Sequence, residues 1–194
     1  MRIVEPNSNE PSLKIVQPSM EVIQVSVEET VEKEDNTQKK DNLYEGMVNQ
    51  MAHEIHNYCL YVIIASFYDR NGLQKLAKFF AKQASEELEH AQMLNNFLLE
   101  KNYPINSLNI PEANSEFKDL KDALKAFEST EKETTSLIKE LYKISMKEGD
   151  VPAQSLLWDM LKEQVEEEKL ASDSLHISEY SDDWLSIEDA IFNL

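Results

Sequence analysis

The sequence predicts an all-α fold with four long helices and a short fifth helix near the C-terminus. Among 194 residues there are only 3 Gly and 6 Pro, and most of these lie outside the long central stretches, which favours helices over a turn-rich β fold. Apolar residues also recur every three or four positions through four successive stretches, the spacing of one helix face. The 41% of hydrophobic residues is enough for the core of one domain.

The N-terminal residues differ in composition from the rest of the chain. Residues 1–42 contain three prolines and no aromatic residue. We therefore expect an N-terminal, flexible extension over residues 1–42 and one domain over residues 43–194. Within the extension, alternating apolar residues from Ile23 to Val27 fit either a short strand or an apolar patch in a disordered arm.

The first two helices are predicted from Tyr44 to about Asp69 and from about Leu73 to Lys101. Gly72 lies in the few residues between them. A connection this short requires the two helices to be antiparallel.

A proline-containing segment without helical periodicity follows, from Asn102 to about Asp119. About 16 extended residues reach ~50 Å, which exceeds the ~40 Å length of a helix of about 27 residues. The third helix, predicted from about Leu120 to Lys147, can therefore lie parallel to the second. Gly149 is expected to end it in the left-handed conformation.

The fourth helix is predicted from about Val151 to Ile177, with Asp150 as its N-cap. The tight turn before it makes it antiparallel to the third helix, so two hairpins are joined by one long crossover. The segment from Asp183 to Asn193 predicts a short fifth helix. This helix has more apolar surface than it can bury alone, so it should dock on the bundle.

Charge and cysteine content exclude several classes of function. A formal net charge of −18 repels phosphate backbones and anionic lipids, so we expect neither nucleic acid nor membrane partners. The longest apolar run, Leu60 to Phe67, is far shorter than the ~20 residues of a spanning helix. Cys59 is the single cysteine, which excludes an internal disulfide, and no secretory signal pattern is visible. A cytoplasmic location is expected.

Polar groups interrupt each predicted apolar stripe near its midpoint. The interrupting residues, from the first helix to the fourth, are Glu54, Glu87, His90, Glu131, Gln164 and Glu167. Burying unpaired carboxylates costs several kcal/mol, so carboxylates converging from four helices require cations. A Glu and a His three residues apart allow the carboxylate to lie between two metal ions while the imidazole binds one. This oxygen and nitrogen ligand set suits iron or manganese.

These residues resemble the motifs of the bacterial non-haem ferritins, over about residues 44–194. The matching positions are Glu54 with Tyr61 seven residues later, Glu86-Glu87-x-x-His90, Glu131, and Glu163-Gln164-x-Glu166-Glu167. The pair Gln164-x-x-Glu167 is similar to that of ferritins rather than bacterioferritins or rubrerythrins, which keep a histidine there. Leu88 stands where bacterioferritins have their haem-ligating methionine, so the resemblance implies no haem.

The resemblance also implies a role for each matching residue. One iron would be held by Glu54, Glu87 and His90. A second would be held by Glu87, Glu131 and Glu167, with Gln164 nearby and Tyr61 beside the centre. A third iron would be bound on the inner side by Glu86, Glu163, Glu166 and Glu167.

As a function, the resemblance implies iron storage with ferroxidase activity. Fe(II) would be oxidised by O2 or peroxide at an intrasubunit di-iron centre, and ferric mineral would be deposited inside a 24-subunit shell. Two alternatives remain open. One is a soluble di-iron oxidase or peroxidase without storage, and the other is a non-catalytic shell or interaction protein.

The remaining polar candidates have simpler interpretations. His53 and His56 lack the spacing of a zinc-binding HExxH motif and are expected at the surface. His176 is expected to contact helix-terminal carbonyls or solvent, and Cys59 to pack within its helix. The acids at positions 148 and 150 are most simply interpreted as exposed turn residues. Alternatively, they could line an ion pore.

Overall fold

The computed structural model describes the backbone of residues 20–113 and 116–194, and the side chains of residues 42–113 and 116–194. The chain divides into two units after Thr37, and everything discussed below at side-chain level belongs to the second unit, Gln38–Leu194. The helices are α1 (Met20–Arg70), α2 (Gln74–Glu100), α3 (Leu120–Glu148), α4 (Val151–Ile177) and α5 (Trp184–Phe192). No strand occurs among the described residues, so the predicted all-α class is confirmed.

The first helix differs from its prediction, because α1 begins at Met20 rather than near Tyr44. Residues 23–27 are helical, so the strand interpretation of that segment is wrong. Residues 1–19 lie outside the described residues. The role of residues 1–42 as a flexible extension therefore stays a prediction.

The turn between α3 and α4 forms as the sequence predicts. Gly149 has φ of 69°, a left-handed conformation that glycine adopts without a Cβ penalty. Asp150 then accepts a hydrogen bond from the Ala153 amide nitrogen at 3.1 Å, which caps α4. Asp150 is nevertheless buried, and it also accepts from the Tyr44 hydroxyl at 2.6 Å. The expectation that it is an exposed turn acid is wrong.

Two apolar clusters form the core. The Phe80 cluster consists of Leu60, Tyr61, Ile64, Tyr68, Leu73, Leu76, Phe80, Ala84, Ala123, Leu124, Phe127, Ala171, Ile187 and Ile191. The Leu94 cluster consists of Leu43, Tyr44, Met47, Val48, Met51, Ala91, Leu94, Leu98, Ile138, Leu141, Ala153, Leu157 and Met160. The predicted docking of α5 is thus confirmed, since Ile187 and Ile191 are part of the Phe80 cluster.

The order of the clusters along each helix gives the topology. Along α1 and α4 the Leu94 cluster comes first, whereas along α2 and α3 the Phe80 cluster comes first. Helix α2 therefore runs opposite to α1, α3 runs parallel to α2, and α4 returns antiparallel to α3. This is the predicted arrangement of two hairpins joined by a long crossover. None of the helices in the described part of the chain is long and apolar enough to cross a membrane.

Candidate metal centre

A polar layer separates the two apolar clusters. Each long helix contributes a stretch that holds no buried member of either cluster, and these stretches are 52–59, 85–90, 128–137 and 161–170. The buried polar side chains within the layer are Glu54, Asn57, Glu87, His90, Glu131, Thr134, Thr135 and Gln164, none more than 9% exposed. The helix periodicity therefore brings together the groups that interrupt each apolar stripe.

Glu54, Glu87 and His90 form the tightest part of the layer. One ligand atom from each residue lies within 4.8 Å of the others, and His90 Nδ1 is 3.7 Å from Glu87 Oε2. Glu87 Oε2 is buried and has no hydrogen-bond partner. An unsatisfied buried carboxylate oxygen costs free energy, and a bound cation would satisfy it.

Glu131 faces this triad from α3 and is held by two neutral donors. The Tyr61 hydroxyl donates to Oε1, and Gln164 Nε2 donates to Oε2 at 2.5 Å. Burial and the charge of Glu131 raise the pKa of the Tyr61 hydroxyl well above its usual value. Tyr61 is therefore a neutral donor beside the carboxylates.

Burial raises the pKa of the three fully buried carboxyl groups in the layer, Glu54, Glu87 and Glu131. Desolvation raises the pKa of Glu54 well above its usual value, and the charge of Glu87 raises it further. The pKa of Glu87 is raised in the same way, by desolvation and then by the charge of Glu131. The pKa of Glu131 is also raised, chiefly by desolvation. No lysine or arginine of the described residues forms an ion pair with these three groups. Without a cation, burial therefore favours the protonated forms of these groups, and a bound cation would favour their ionised forms.

A pocket of about 390 Å³ adjoins the layer and collects the residues assigned to a third metal. It is lined by Glu86, Glu89, His90, Met93, Glu163, Glu166 and Glu167. His90 connects the pocket to the triad, because its Nε2 lies 3.1 Å from Glu163 Oε2. Desolvation and the charge of Glu131 raise the pKa of Glu167 to about 7. Glu167 thus lines the pocket and also interacts electrostatically with Glu131 in the polar layer.

Not every acid around this pocket is free. Lys82 Nζ lies 2.8 Å from Glu86 Oε1, and Gln83 donates to the other oxygen of Glu86. A cation in the pocket would compete with these two partners for Glu86.

Sequence reasoning missed the amides that hold Glu54. Gln50 Nε2 donates to Glu54 Oε1 at 2.8 Å, and Asn57 Nδ2 donates to Oε2 at 3.4 Å. The signal was present, because residues four before and three after a helical residue share its face. Amides on that face can fix the carboxylate.

The expectation of a surface position is wrong for His53. Its side chain is partly buried, its Nε2 lies 2.9 Å from Thr134 Oγ1, and burial lowers its pKa. His56 Nδ1 lies 3.0 Å from the Pro111 carbonyl oxygen. His176 is exposed and contacts Tyr180 rather than a terminal carbonyl.

Residues 44–178 match the ferritin-like domain of the ferritin family. The chain belongs to the ferritin family. The matched range contains every metal-site residue predicted from the sequence, whereas α5 and the residues before Tyr44 lie outside it.

Individual ferritins show how far the similarity extends. Ferritin BfrB of Mycolicibacterium smegmatis is 36% identical over 107 residues, which cover 55% of this chain and 59% of that protein. A probable bacterial non-heme ferritin-like protein of Haemophilus influenzae is 32% identical, covering 70% of this chain and 82% of that protein. An open-pore ferritin of Archaeoglobus fulgidus has a similar structure, with a TM-score of 0.73 at 27% identity, covering 78% of this chain and 94% of that chain.

Proposed function

We propose that this ferritin stores iron, oxidising Fe(II) at an intrasubunit di-iron centre and depositing the ferric product inside a 24-subunit shell. The observation that carries the proposal is the buried polar layer, in which three carboxylates and one imidazole converge without a basic partner. Because burying such charge is costly, the layer is better explained as a cation site than as part of the core.

The two metal ions have different sets of ligands in this proposal, and Glu87 belongs to both sets. Glu54, Glu87 and His90 hold one iron, and Glu87, Glu131 and Glu167 hold the other. Glu87 is suited to bridge them, because it lies with Glu54 and His90 and its pKa responds to burial and then to Glu131. Gln164 orients Glu131 from α4.

The chemistry follows from the charge of the layer. Two Fe(II) ions each release one electron, and O2 takes both electrons with two protons to give hydrogen peroxide. Carboxylates stabilise Fe(III) more than Fe(II), because the attraction grows with the charge of the ion. The ferric product can then leave through the acidic pocket, where Glu163 and Glu166 would bind the third iron.

Four further features support a non-haem, shell-forming storage protein of the cytoplasm. Leu88 is 48% exposed on α2 and offers no ligand for haem iron. The net charge of −18 would concentrate cations at an interior mineral surface. A solved relative is described as an open-pore ferritin, and we propose that this chain also assembles into a homo-oligomeric shell. The single cysteine fits a reducing cytoplasm.

The proposal is tested by the initial rate of aerobic Fe(II) oxidation at two irons per subunit. Wild type should oxidise rapidly, and Glu87→Ala should lose activity by about 100-fold, because the bridge between both ions is removed. Glu140→Ala, an exposed acid on α3, is the matched control and should behave as wild type. Equal slow rates in all three proteins would contradict the ferroxidase assignment.

Size-exclusion chromatography distinguishes storage from a non-storing oxidase. A shell of high mass that retains iron through the column supports storage. A species of one or two subunits that oxidises Fe(II) without retaining it would instead indicate a soluble di-iron oxidase.

A further inference from the structure

A chain of hydrogen bonds extends from Glu54 through the contact between α1 and α3. Asn57 Nδ2 lies 3.4 Å from Glu54 Oε2 and 3.1 Å from Thr134 Oγ1. Thr134 Oγ1 in turn lies 2.9 Å from His53 Nε2. We refer to His53, Asn57 and Thr134 as the α1–α3 seam.

The hydrogen atoms of the seam can be assigned by counting donors. Thr134 Oγ1 donates its single hydrogen to the Thr130 carbonyl oxygen at 3.0 Å. It must therefore accept from both Asn57 and His53. This fixes the Asn57 amide with its nitrogen toward Glu54 and assigns the donor hydrogen of His53 to Nε2. One amide hydrogen of Asn57 therefore donates to Thr134, which orients the other toward Glu54.

Asn57 is costly for the fold. Its side chain is fully buried, and its Oδ1 has no hydrogen-bond partner, an arrangement that costs roughly 1–3 kcal/mol. An apolar residue of similar size would avoid this cost. The benefit of Asn57 must then come from its amide nitrogen, which donates to Glu54 and to Thr134 and also favours the ionised form of Glu87 through a hydrogen bond.

We propose that Asn57 is a positioning residue for the Glu54 carboxylate, held in place from α3 by Thr134, and that the seam thereby sets the affinity and geometry of the first metal ion. The proposal rests on the proposed function, since it takes Glu54 as a metal ligand. It goes beyond it by giving a defined task to residues that do not touch the metal. Partners that orient ligands commonly change metal affinity by about 10–100-fold.

The test is an anaerobic titration of the full-length assembled protein with Co(II), followed by its visible absorption. Asn57→Ala should weaken the tightest Co(II) site by about 10-fold and change the shape of its spectrum, because Glu54 loses a donor. Thr134→Val should weaken it by about 3-fold or more, since Asn57 loses the acceptor that orients it. Thr134→Ser keeps the hydroxyl and should restore wild-type affinity and spectrum.

Ser145→Ala is the matched control. Ser145 is buried on the same helix but outside the polar layer, and its hydroxyl also donates to a backbone carbonyl, that of Tyr142 at 2.8 Å, rather than to the seam. Its Co(II) affinity should stay within about 2-fold of wild type, well below the change expected for a ligand-orienting partner.

The outcomes separate this proposal from the proposed function. If Glu54→Ala loses the tightest site while Asn57→Ala and Thr134→Val bind as wild type, the seam has no positioning role and the metal site stands. If wild type binds no Co(II) more tightly than Glu54→Ala, both proposals fail. Should Asn57→Ala not fold, the comparison of Thr134→Val with Thr134→Ser decides the question.

Discussion

Gln164 on α4 donates a hydrogen bond to Glu131 on α3, with 2.5 Å between Nε2 and Oε2. The other oxygen of the same carboxylate accepts from Tyr61 on α1. One buried carboxylate therefore connects three helices through neutral donors, which favour its ionised form. A metal ion that binds Glu131 must share or displace one of these donors.

This arrangement predicts the effect of Tyr61→Phe. Without metal, the variant should lose roughly 1–3 kcal/mol of unfolding free energy, because Glu131 Oε1 loses its donor. With saturating Co(II) the loss should shrink, since the ion can satisfy that oxygen. Thermal unfolding of chelator-treated and Co(II)-loaded protein measures both values, with Tyr58→Phe on α1 as control. An equal loss in both states would count against a metal at Glu131, and unchanged Fe(II) oxidation kinetics would remove any catalytic role of Tyr61.

The acidic pocket predicts a separate effect on repeated turnover. Glu166 lines the pocket and is exposed, so Glu166→Ala should leave the first two Fe(II) ions per subunit oxidised at the wild-type rate. Later additions should be slowed by about 3-fold or more, because a carboxylate ligand is lost. Successive Fe(II) additions followed by absorbance measure both phases. Glu168→Ala, which removes the same charge outside this pocket, is the control. If Glu166→Ala and Glu168→Ala oxidise the later additions at the same rate, the pocket has no role in iron transfer.

Glu188 on α5 predicts a purely structural effect. Helix α2 has no side-chain cap at Leu73, but Glu188 Oε2 accepts from the amide nitrogens of Lys75 and Leu76 at 2.9 and 3.4 Å. Glu188→Ala should therefore cost about 1–2 kcal/mol, as for a lost cap, or roughly 2–8 °C in Tm. Glu188→Gln keeps an acceptor and should lose less.

The neighbouring Asp189 provides the control for this cap. Asp189→Ala removes only an exposed ion pair with Lys75, which should cost less than about 1 kcal/mol. A Tm for Glu188→Ala equal to that for Asp189→Ala would show that α5 does not cap α2.

The topology and the polar layer were predictable because both depend on helical periodicity. Glu87 and His90 are three residues apart within an apolar stripe, so both lie on the buried face of their helix however the helices pack. The turn at Gly149 and Asp150 was predictable for a similar reason, since a left-handed glycine followed by a capping acid is a local signal.

Contacts between helices were not predictable in the same way. The contact of His53 with Thr134 depends on the packing of α1 against α3, so the sequence placed His53 wrongly at the surface. Asp150 was recognised as a cap, but its burial beneath Tyr44 depends on a residue that lies far away in sequence. The start of α1 at Met20 was missed because the many polar residues between Met20 and Tyr44 leave only a weak helical periodicity.

The division of the chain after Thr37 predicts that residues 38–194 suffice for iron oxidation. This segment contains every proposed ligand. A chain shortened to it should oxidise the first two Fe(II) ions per subunit within about 2-fold of the full-length rate, since no ligand or ligand partner is lost. The initial rate and the elution volume measure activity and assembly. Loss of either would assign residues 1–37 a role in the domain itself.

The raised carboxyl pKa values predict that metal-free protein loses stability as pH rises. The unfolded chain releases these protons near pH ~4.3, whereas the folded protein retains them to higher pH, to about 7 at Glu167. Between these values the folded state binds more protons, so its stability is full below the unfolded pKa and declines as pH rises. We expect a fall in Tm on the order of 5 °C between pH 5 and pH 8, or ~1–2 kcal/mol for a chain of this size.

Neutral substitutions isolate the cause of this decline. Replacing Glu54 and Glu87 together by Gln should flatten the dependence of Tm on pH and raise Tm at pH 8, because the two most strongly shifted groups can no longer ionise. The same double change at exposed Glu100 and Glu140 alters net charge equally and should leave the slope unchanged. Co(II) should reverse the trend in wild type, since metal and protons compete for the same oxygens. If both double variants show the same slope, the decline arises from overall charge repulsion rather than from the buried layer.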